Sequence, residues 1–369
     1  MASERASQRI ARIAAQLEPS FDADRGAVSR SDVKAALPLK VAVLGGGVVG
    51  MTTTLRLLQR FPGTDVTVIT EKETPDTTGD VAAGYWKPYA LSGTPDELVT
   101  RWARETLEHY HSIVTSGEAV EAGTSLIWAS DLSESPKPLP GWIGASPSAH
   151  VVTEAETQAI DATGRFKHGY AFSSAIAEGQ LYLPWLRRKL LRLGVRFEKR
   201  PLCTPSDVGG DYGVVFNCTG LGARALFGDE TVRPIRGQVL RVRAPWIKQC
   251  FDFSNGAYII PNRDTVVVGG TTQVDDWQLE PRKEDTERIL SRAYEVMPSL
   301  RNAEILAVRV GLRPGREGVR VEAERRTDMG QAGKAVLVVH NYGHGGSGLT
   351  IGYGTGGDAV ELAAKELGL

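Results

Sequence analysis

The chain has 369 residues, 43 basic against 44 acidic side chains and a net charge of -1, so it offers no broad basic field to nucleic acid or an anionic membrane. Its length accommodates two domains, and no apolar run approaches the roughly 18 residues of a membrane span. Cys203, Cys218 and Cys250 are odd in number and lack C-x-x-C spacing, which argues against a disulfide framework and a zinc site and for reduced thiols in or near the core. The expected partner is a small molecule, and no metal is expected.

The first 38 residues differ from the rest. Ile10, Ile13, Ala14 and Leu17 fall at helical spacing with Arg5, Arg9 and Arg12 on other faces, the pattern of a short amphipathic helix. Glu4, Glu18, Asp22 and Asp24 interrupt the acid-poor composition of an organelle transit sequence, and an apolar signal core is missing, so a flexible or surface-docked extension is expected. Lys40-Val41-Ala42-Val43-Leu44 then predicts a buried parallel strand running into Gly45-Gly46-Gly47-Val48-Val49-Gly50, with a helix continuing from Met51 to Leu58. A second strand, Val66 to Thr70, ends at Glu71, about twenty residues past the last glycine, where a carboxylate suits a ribose hydroxyl. Together these make a dinucleotide-binding unit. Gly45, Gly47 and Gly50 would approach the pyrophosphate, and the helix starting at Val48 and Val49 would present its positive end.

A helical pattern spans residues 98–112, a Pro/Ser/Gly-rich loop runs from Pro136 to Pro147, and a helix over 181–193 precedes a strand at 195–197. Tyr212 to Gly220 is an apolar strand entering a small-residue turn. Segments 238–242, 257–261 and 265–269, enriched in Val, Ile and Tyr, predict an antiparallel sheet in a second domain. The chain returns with a strand at 335–339 and the glycine-rich run His340-Asn341-Tyr342-Gly343-His344-Gly345-Gly346-Ser347-Gly348-Leu349-Thr350, which opens a terminal helix. Two glycine cradles about three hundred residues apart predict one large cofactor held by both ends of the chain, as in an FAD enzyme. The expected fold is α/β, a Rossmann-like FAD-binding domain with a second, antiparallel-sheet substrate domain. The expected boundaries are an extension at 1–38, a discontinuous FAD domain at 39–95, 180–230 and 305–369, and a substrate domain at 96–179 and 231–304.

Asp80-Val81-Ala82-Ala83-Gly84, Asn217-Cys218-Thr219-Gly220, Arg236-Gly237-Gln238, Ala244-Pro245-Trp246, Gly311-Leu312-Arg313-Pro314 and His340 to Gly346, in this order, resemble the D-amino-acid oxidase and D-aspartate oxidase family. The resemblance runs from about Lys40 to about Glu361. It implies a noncovalent FAD, hydride transfer from Cα of a D-amino acid to flavin N5, and reoxidation of the flavin by oxygen with release of hydrogen peroxide. The imine then hydrolyses to a 2-oxo acid and ammonia.

Residue by residue, the resemblance implies that Arg313 pairs with the substrate carboxylate, that Tyr258 hydrogen-bonds the same group, and that the Gly346 carbonyl accepts from the substrate amine. A guanidinium fork matches a carboxylate bidentately and so fixes the substrate's rotation. Direct hydride transfer needs no general base, and His344, set between glycines, is expected to brace its turn. On the cofactor side the resemblance implies Glu71 at the ribose, Lys72, Thr77 and Thr78 at the adenine half or the phosphates, and Thr219 under the nucleotide. Gly345, Gly346, Gly348, Leu349 and Thr350 would stand beside the flavin pyrimidine ring. Gly84, Tyr85, Lys87, Leu202, Gly220 and Arg313 would complete the cofactor contacts.

D-aspartate oxidases of the family carry His where Tyr89 stands, Ser where Gly346 stands, and an Arg upstream of the tyrosine, where this chain has Phe251, Asp252 and Phe253. The expected substrate is therefore a neutral D-amino acid, bound through Arg313, Tyr258, Gly346 and Tyr89, with Lys87 as the residue most able to swing a cation toward an acidic side chain. Leu183-Pro184-Trp185 and Gly269-Gly270-Thr271 look closer to the D-aspartate branch, which keeps that activity as an alternative, beside a dehydrogenase passing electrons to a non-oxygen acceptor. Covalent flavin attachment through a late cysteine is disfavoured, since no cysteine follows Cys250. The resemblance allows a homodimer and points to the peroxisome or the cytoplasm, although Leu367-Gly368-Leu369 does not match the Ser-Lys-Leu address.

Overall fold

The structure, a computed structural model, describes residues 37, 39–161, 163–329 and 334–369. The amphipathic segment at Ile10 to Leu17 lies outside the described residues. In chain order the elements used below are β1 (Lys40–Leu44), α1 (Val48–Arg60), β2 (Val66–Thr70), α2 (Asp96–Val114), β3 (Thr124–Ser133), β4 (Ala149–Val151), β5 (His168–Ala177), α3 (Gly179–Arg192), β6 (Arg196–Lys199), β7 (Tyr212–Asn217), β8 (Arg233–Arg243), β9 (Cys250–Phe253), β10 (Tyr258–Pro261), β11 (Val266–Gly269), β12 (Gln273–Val274), α4 (Lys283–Val296), β13 (Glu304–Gly315), β14 (Arg320–Arg326), β15 (Val336–Tyr342) and α5 (Gly348–Glu366).

One sheet has the order β14-β15-β7-β1-β2-β6 and is parallel except for β14. Val41, Ala42, Val43 and Leu44 are fully buried, as a strand covered on both faces requires. Helix α5 lies against α1 and α2 because its glycines permit close approach: a Cβ at Gly354 would sit 2.5 Å from the Trp102 backbone. The second sheet has the order β12-β8-β11-β10-β9-β3-β5-β4, with β13 paired to β8, and is antiparallel apart from the β3–β9 pair.

Two contacts cross the expected boundaries. Strand β13 runs antiparallel along β8 from Glu304 to Gly315, so the second sheet extends past residue 305. Helix α2, expected in the substrate domain, joins α5 through Arg101 and Trp102, which both bond Asp358. Arg236 on β8 is fully buried and anchors α4 and the residues before it: it pairs with Asp285 at 2.8 Å and donates to the Gln278 and Glu280 carbonyls. A buried charge is tolerated only when its donors are satisfied in this way.

Candidate active site

A cavity of about 940 Å³ opens between the two sheets. The N-terminal wall is built by the turn after β1. Gly45 has φ +104°, and a Cβ at Gly50 would collide with the Gly45 carbonyl, so the turn and α1 close tightly on each other. Gly47 has no atom within 4 Å of a would-be Cβ and therefore faces open space. Helix α1 begins there with no side-chain cap and no acidic residue in its first turn. Helix α5 likewise lacks a side-chain cap. Two uncapped helix starts bordering one cavity offer unsatisfied N–H groups to an anion, which is what the phosphates and pyrimidine ring of FAD require. The residues present fit that cofactor.

The cavity wall holds Gly45, Gly47, Val48, Val49, Glu71, Lys72, Thr77, Thr78, Gly84, Tyr85, Lys87, Leu202, Thr219, Gly220, Gly345, Gly346, Gly348 and Leu349, together with Tyr89, Tyr258 and Arg313. Gly50 and Thr350 stand behind it. Gly50 serves the turn, and the Thr350 N–H donates to the Ser347 carbonyl, while its hydroxyl meets the Lys87 carbonyl at 3.2 Å.

At the other end Arg313, on β13, donates to the Thr271 carbonyl at 3.1 Å and has no carboxylate partner among the described residues. Its guanidinium lies flat over β8 because position 237 is glycine; any Cβ there would collide with it. Tyr258, on β10, stands beside Arg313 at the cavity wall, and glycines at 269 and 270 leave room for its ring. Burial raises the Tyr258 phenol pKa and the nearby guanidinium opposes that rise, so the hydroxyl stays protonated as a donor. Sequence reasoning quoted Gly237 and Gly270 within motifs but gave them no role, which appears only once β8, β11 and β13 are adjacent.

Tyr89 is fixed by its backbone: its N–H donates to Ser347 Oγ and that hydroxyl donates to its carbonyl, both at 2.7 Å. Its hydroxyl reaches Thr272 at 2.6 Å, bridging the mouth of the cavity. A Cβ at Gly346 would stand 2.5 Å from the Tyr89 ring, so glycine at 346 and tyrosine at 89 form a matched pair.

The expectation that Lys87 swings freely is corrected. Its Nζ lies 2.6 Å from both Asp131 Oδ2 and Asp252 Oδ2, and Asp131 also bonds Lys137 and Tyr170. Burial opposes the charged ammonium, but the two carboxylates outweigh it and raise its pKa. This cluster was missed because its members lie far apart in the chain.

His344 is buried, with Nε2 2.9 Å from Thr355 Oγ1, and burial pushes its pKa down to about 3. It braces the turn as a neutral ring. In the unfolded chain it titrates near about 6.5, so its contribution to stability is complete above that pH and is lost as pH falls toward 3. His344→Gln is expected to flatten the decline of Tm between pH 6.5 and about 4. An unchanged slope in a melting series would assign the proton uptake to other groups, His109 first, since burial holds it down to about 3 as well.

Two uncapped helix starts and a paired Arg–Tyr site in one cavity between two sheets define a two-domain flavoprotein oxidoreductase. Residues 40–362 match the family described as FAD dependent oxidoreductase, and the chain belongs to that family, with FAD as its cofactor. It is 37% identical over 329 residues to a D-aspartate oxidase of Homo sapiens, covering 88% of this chain and 95% of that protein. It is 36% identical to a D-amino acid oxidase of Dugesia ryukyuensis, covering 89% and 98%, and 34% identical to a D-amino-acid oxidase of Streptomyces coelicolor, covering 88% and 97%. Its fold matches a glycine oxidase from Geobacillus kaustophilus with a TM-score of 0.70 at 18% identity, over 88% of this chain and 95% of that one. Among the described residues no helix is long and apolar enough to cross a membrane, and no cluster of His, Cys, Asp and Glu is suited to a metal ion.

Proposed function

We propose that this chain is a D-amino-acid oxidase that deaminates neutral D-amino acids to 2-oxo acids with ammonia and hydrogen peroxide. The observation that carries this reading is Arg313, a guanidinium without a carboxylate partner among the described residues, beside the Tyr258 hydroxyl in the cavity that also holds both glycine cradles. FAD, held between the glycine segments at Gly45 and Gly47 and at Gly345, Gly346 and Gly348, would supply the two-electron oxidation of the Cα–N bond. The chain's own work is orientation: Arg313 grips the α-carboxylate in two places, Tyr258 donates a third hydrogen bond, and the Gly346 carbonyl accepts from the amine. Tyr89, tied to Thr272, narrows the mouth and limits access of water.

Neutral substrates are favoured by the Tyr89–Gly346 pair and by Lys87, whose charge is already committed. Desolvating a second carboxylate that reaches no cation costs about 2 kcal/mol or more, about 30-fold in selectivity. D-Ala and D-Val are therefore expected to exceed D-Asp by at least that factor in kcat/KM at one pH, and a D-Asp value equal to that of D-Val would reject the neutral assignment. The D-aspartate reading is supported by the similarity to the human protein and by Arg292, which borders the cavity without a hydrogen bond or ion pair among the described residues. Oxygen uptake against reduction of an artificial dye separates an oxidase from a dehydrogenase. A homodimer and a peroxisomal or cytoplasmic setting rest on the resemblance alone.

A further inference from the structure

The substrate end of the cavity contains a charged group that the reading above leaves without a task. Asp252 on β9 is the cross-strand partner of Tyr258 on β10, and paired positions of an antiparallel ladder put their side chains on one face about 5 Å apart. Both line the cavity, as does Ile260 two residues further along the same face. The neighbouring Phe253 points the other way, packing edge-on to Phe166 in the core of the second sheet. Asp252 Oδ2 accepts from Lys87, whereas its other oxygen has no partner among the described residues, and the side chain is 28% exposed.

Lys87 does not remove the need for a donor at that second oxygen. The ammonium is divided between Asp131 and Asp252, and it approaches Asp252 from the Oδ2 side. An ionised carboxylate only accepts hydrogen bonds, so an arriving N–H group gains a charge-assisted bond. A second carboxylate there meets like charge and loses its hydration.

We propose that Asp252 reads the substrate side chain, selecting among neutral D-amino acids those whose side chains end in N–H donors, carboxamides such as that of D-Gln, over apolar ones of equal size and over acidic side chains. This rests on the D-amino-acid oxidase reading. The test compares kcat/KM for D-Gln, D-Glu and D-Met, with D-Ala as reference, in the FAD-loaded wild type and in Asp252→Leu. In the wild type D-Gln is expected to exceed both D-Glu and D-Met by at least about tenfold. In Asp252→Leu the D-Gln to D-Met ratio falls about tenfold, and D-Glu gains on D-Gln because Lys87 then faces the cavity with one carboxylate fewer.

Ratios taken within one variant cancel a general loss of activity. Where the leucine variant fails to fold, Asp252→Asn keeps the volume and is expected to lose the discrimination against D-Glu. A wild-type D-Gln to D-Glu ratio near one, or ratios unmoved by substitution, would overturn the proposal and leave Asp252 as the counter-ion of Lys87. A wild type that binds FAD but oxidises no D-amino acid of the panel, D-Ala included, would instead overturn the oxidase reading beneath it.

Discussion

Arg313→Leu is expected to lower kcat/KM for D-Ala by roughly 30-fold or more while FAD stays bound, because truncating one partner of a buried charge pair costs about 2 to 5 kcal/mol. The structure makes the expectation specific. Arg313 donates to the Thr271 carbonyl and has no carboxylate partner among the described residues, which leaves donors for a substrate carboxylate. Leucine fits the strand, whose pairing with β8 runs through the backbone. Tyr258→Phe removes one neutral hydrogen bond and is expected to cost less, about 0.5 to 1.5 kcal/mol. Steady-state peroxide assays with the flavin spectrum as control check both. Near-normal turnover of Arg313→Leu would make this arginine a support for the Thr271 loop.

Gly47→Val is expected to fold normally and to lose most of its affinity for FAD. Position 47 has φ -80° and ψ -175°, open to any L residue, and a side chain there meets no protein atom within 4 Å. The valine instead occupies space the cofactor needs. Overpacking of this kind costs about 1 to 3 kcal/mol, about 5- to 150-fold in Kd. Gly50→Val supplies the contrast, since its Cβ collides with the Gly45 carbonyl and the turn itself must open. Circular dichroism together with flavin titration separates the two: native structure with weak FAD binding for Gly47→Val, and disturbed folding for Gly50→Val. Equal FAD affinity in wild type and Gly47→Val would remove the pyrophosphate from this turn.

The first dinucleotide unit was legible because buried parallel strands read as unbroken apolar runs, and β1 and β2 have the expected limits. Strand β3 was not legible. Its sequence, Thr-Ser-Leu-Ile-Trp-Ala-Ser-Asp-Leu-Ser, buries Ser130 and Asp131, and a buried aspartate reads as surface until Lys87 and Lys137 are placed beside it. The pairing of β13 with β8 was not legible because the partner strand lies some seventy residues upstream, beyond any local pattern. At the site, motif residues such as Arg313 and Tyr258 were readable as chemistry. The freedom of Lys87 was misjudged for the opposite reason: only packing reveals that two carboxylates from different strands already hold it.

The first and last glycine segments of the described fold border one cavity, so a single bound molecule joins chain positions three hundred residues apart. A ligand that binds the folded state alone adds stability by mass action, about 2.7 kcal/mol when its free concentration is a hundred times its Kd. The amount of this enzyme that survives in a cell therefore depends on the local supply of flavin nucleotide. Under flavin shortage the apoprotein is the species offered to proteases, and enzyme abundance falls along with catalytic capacity.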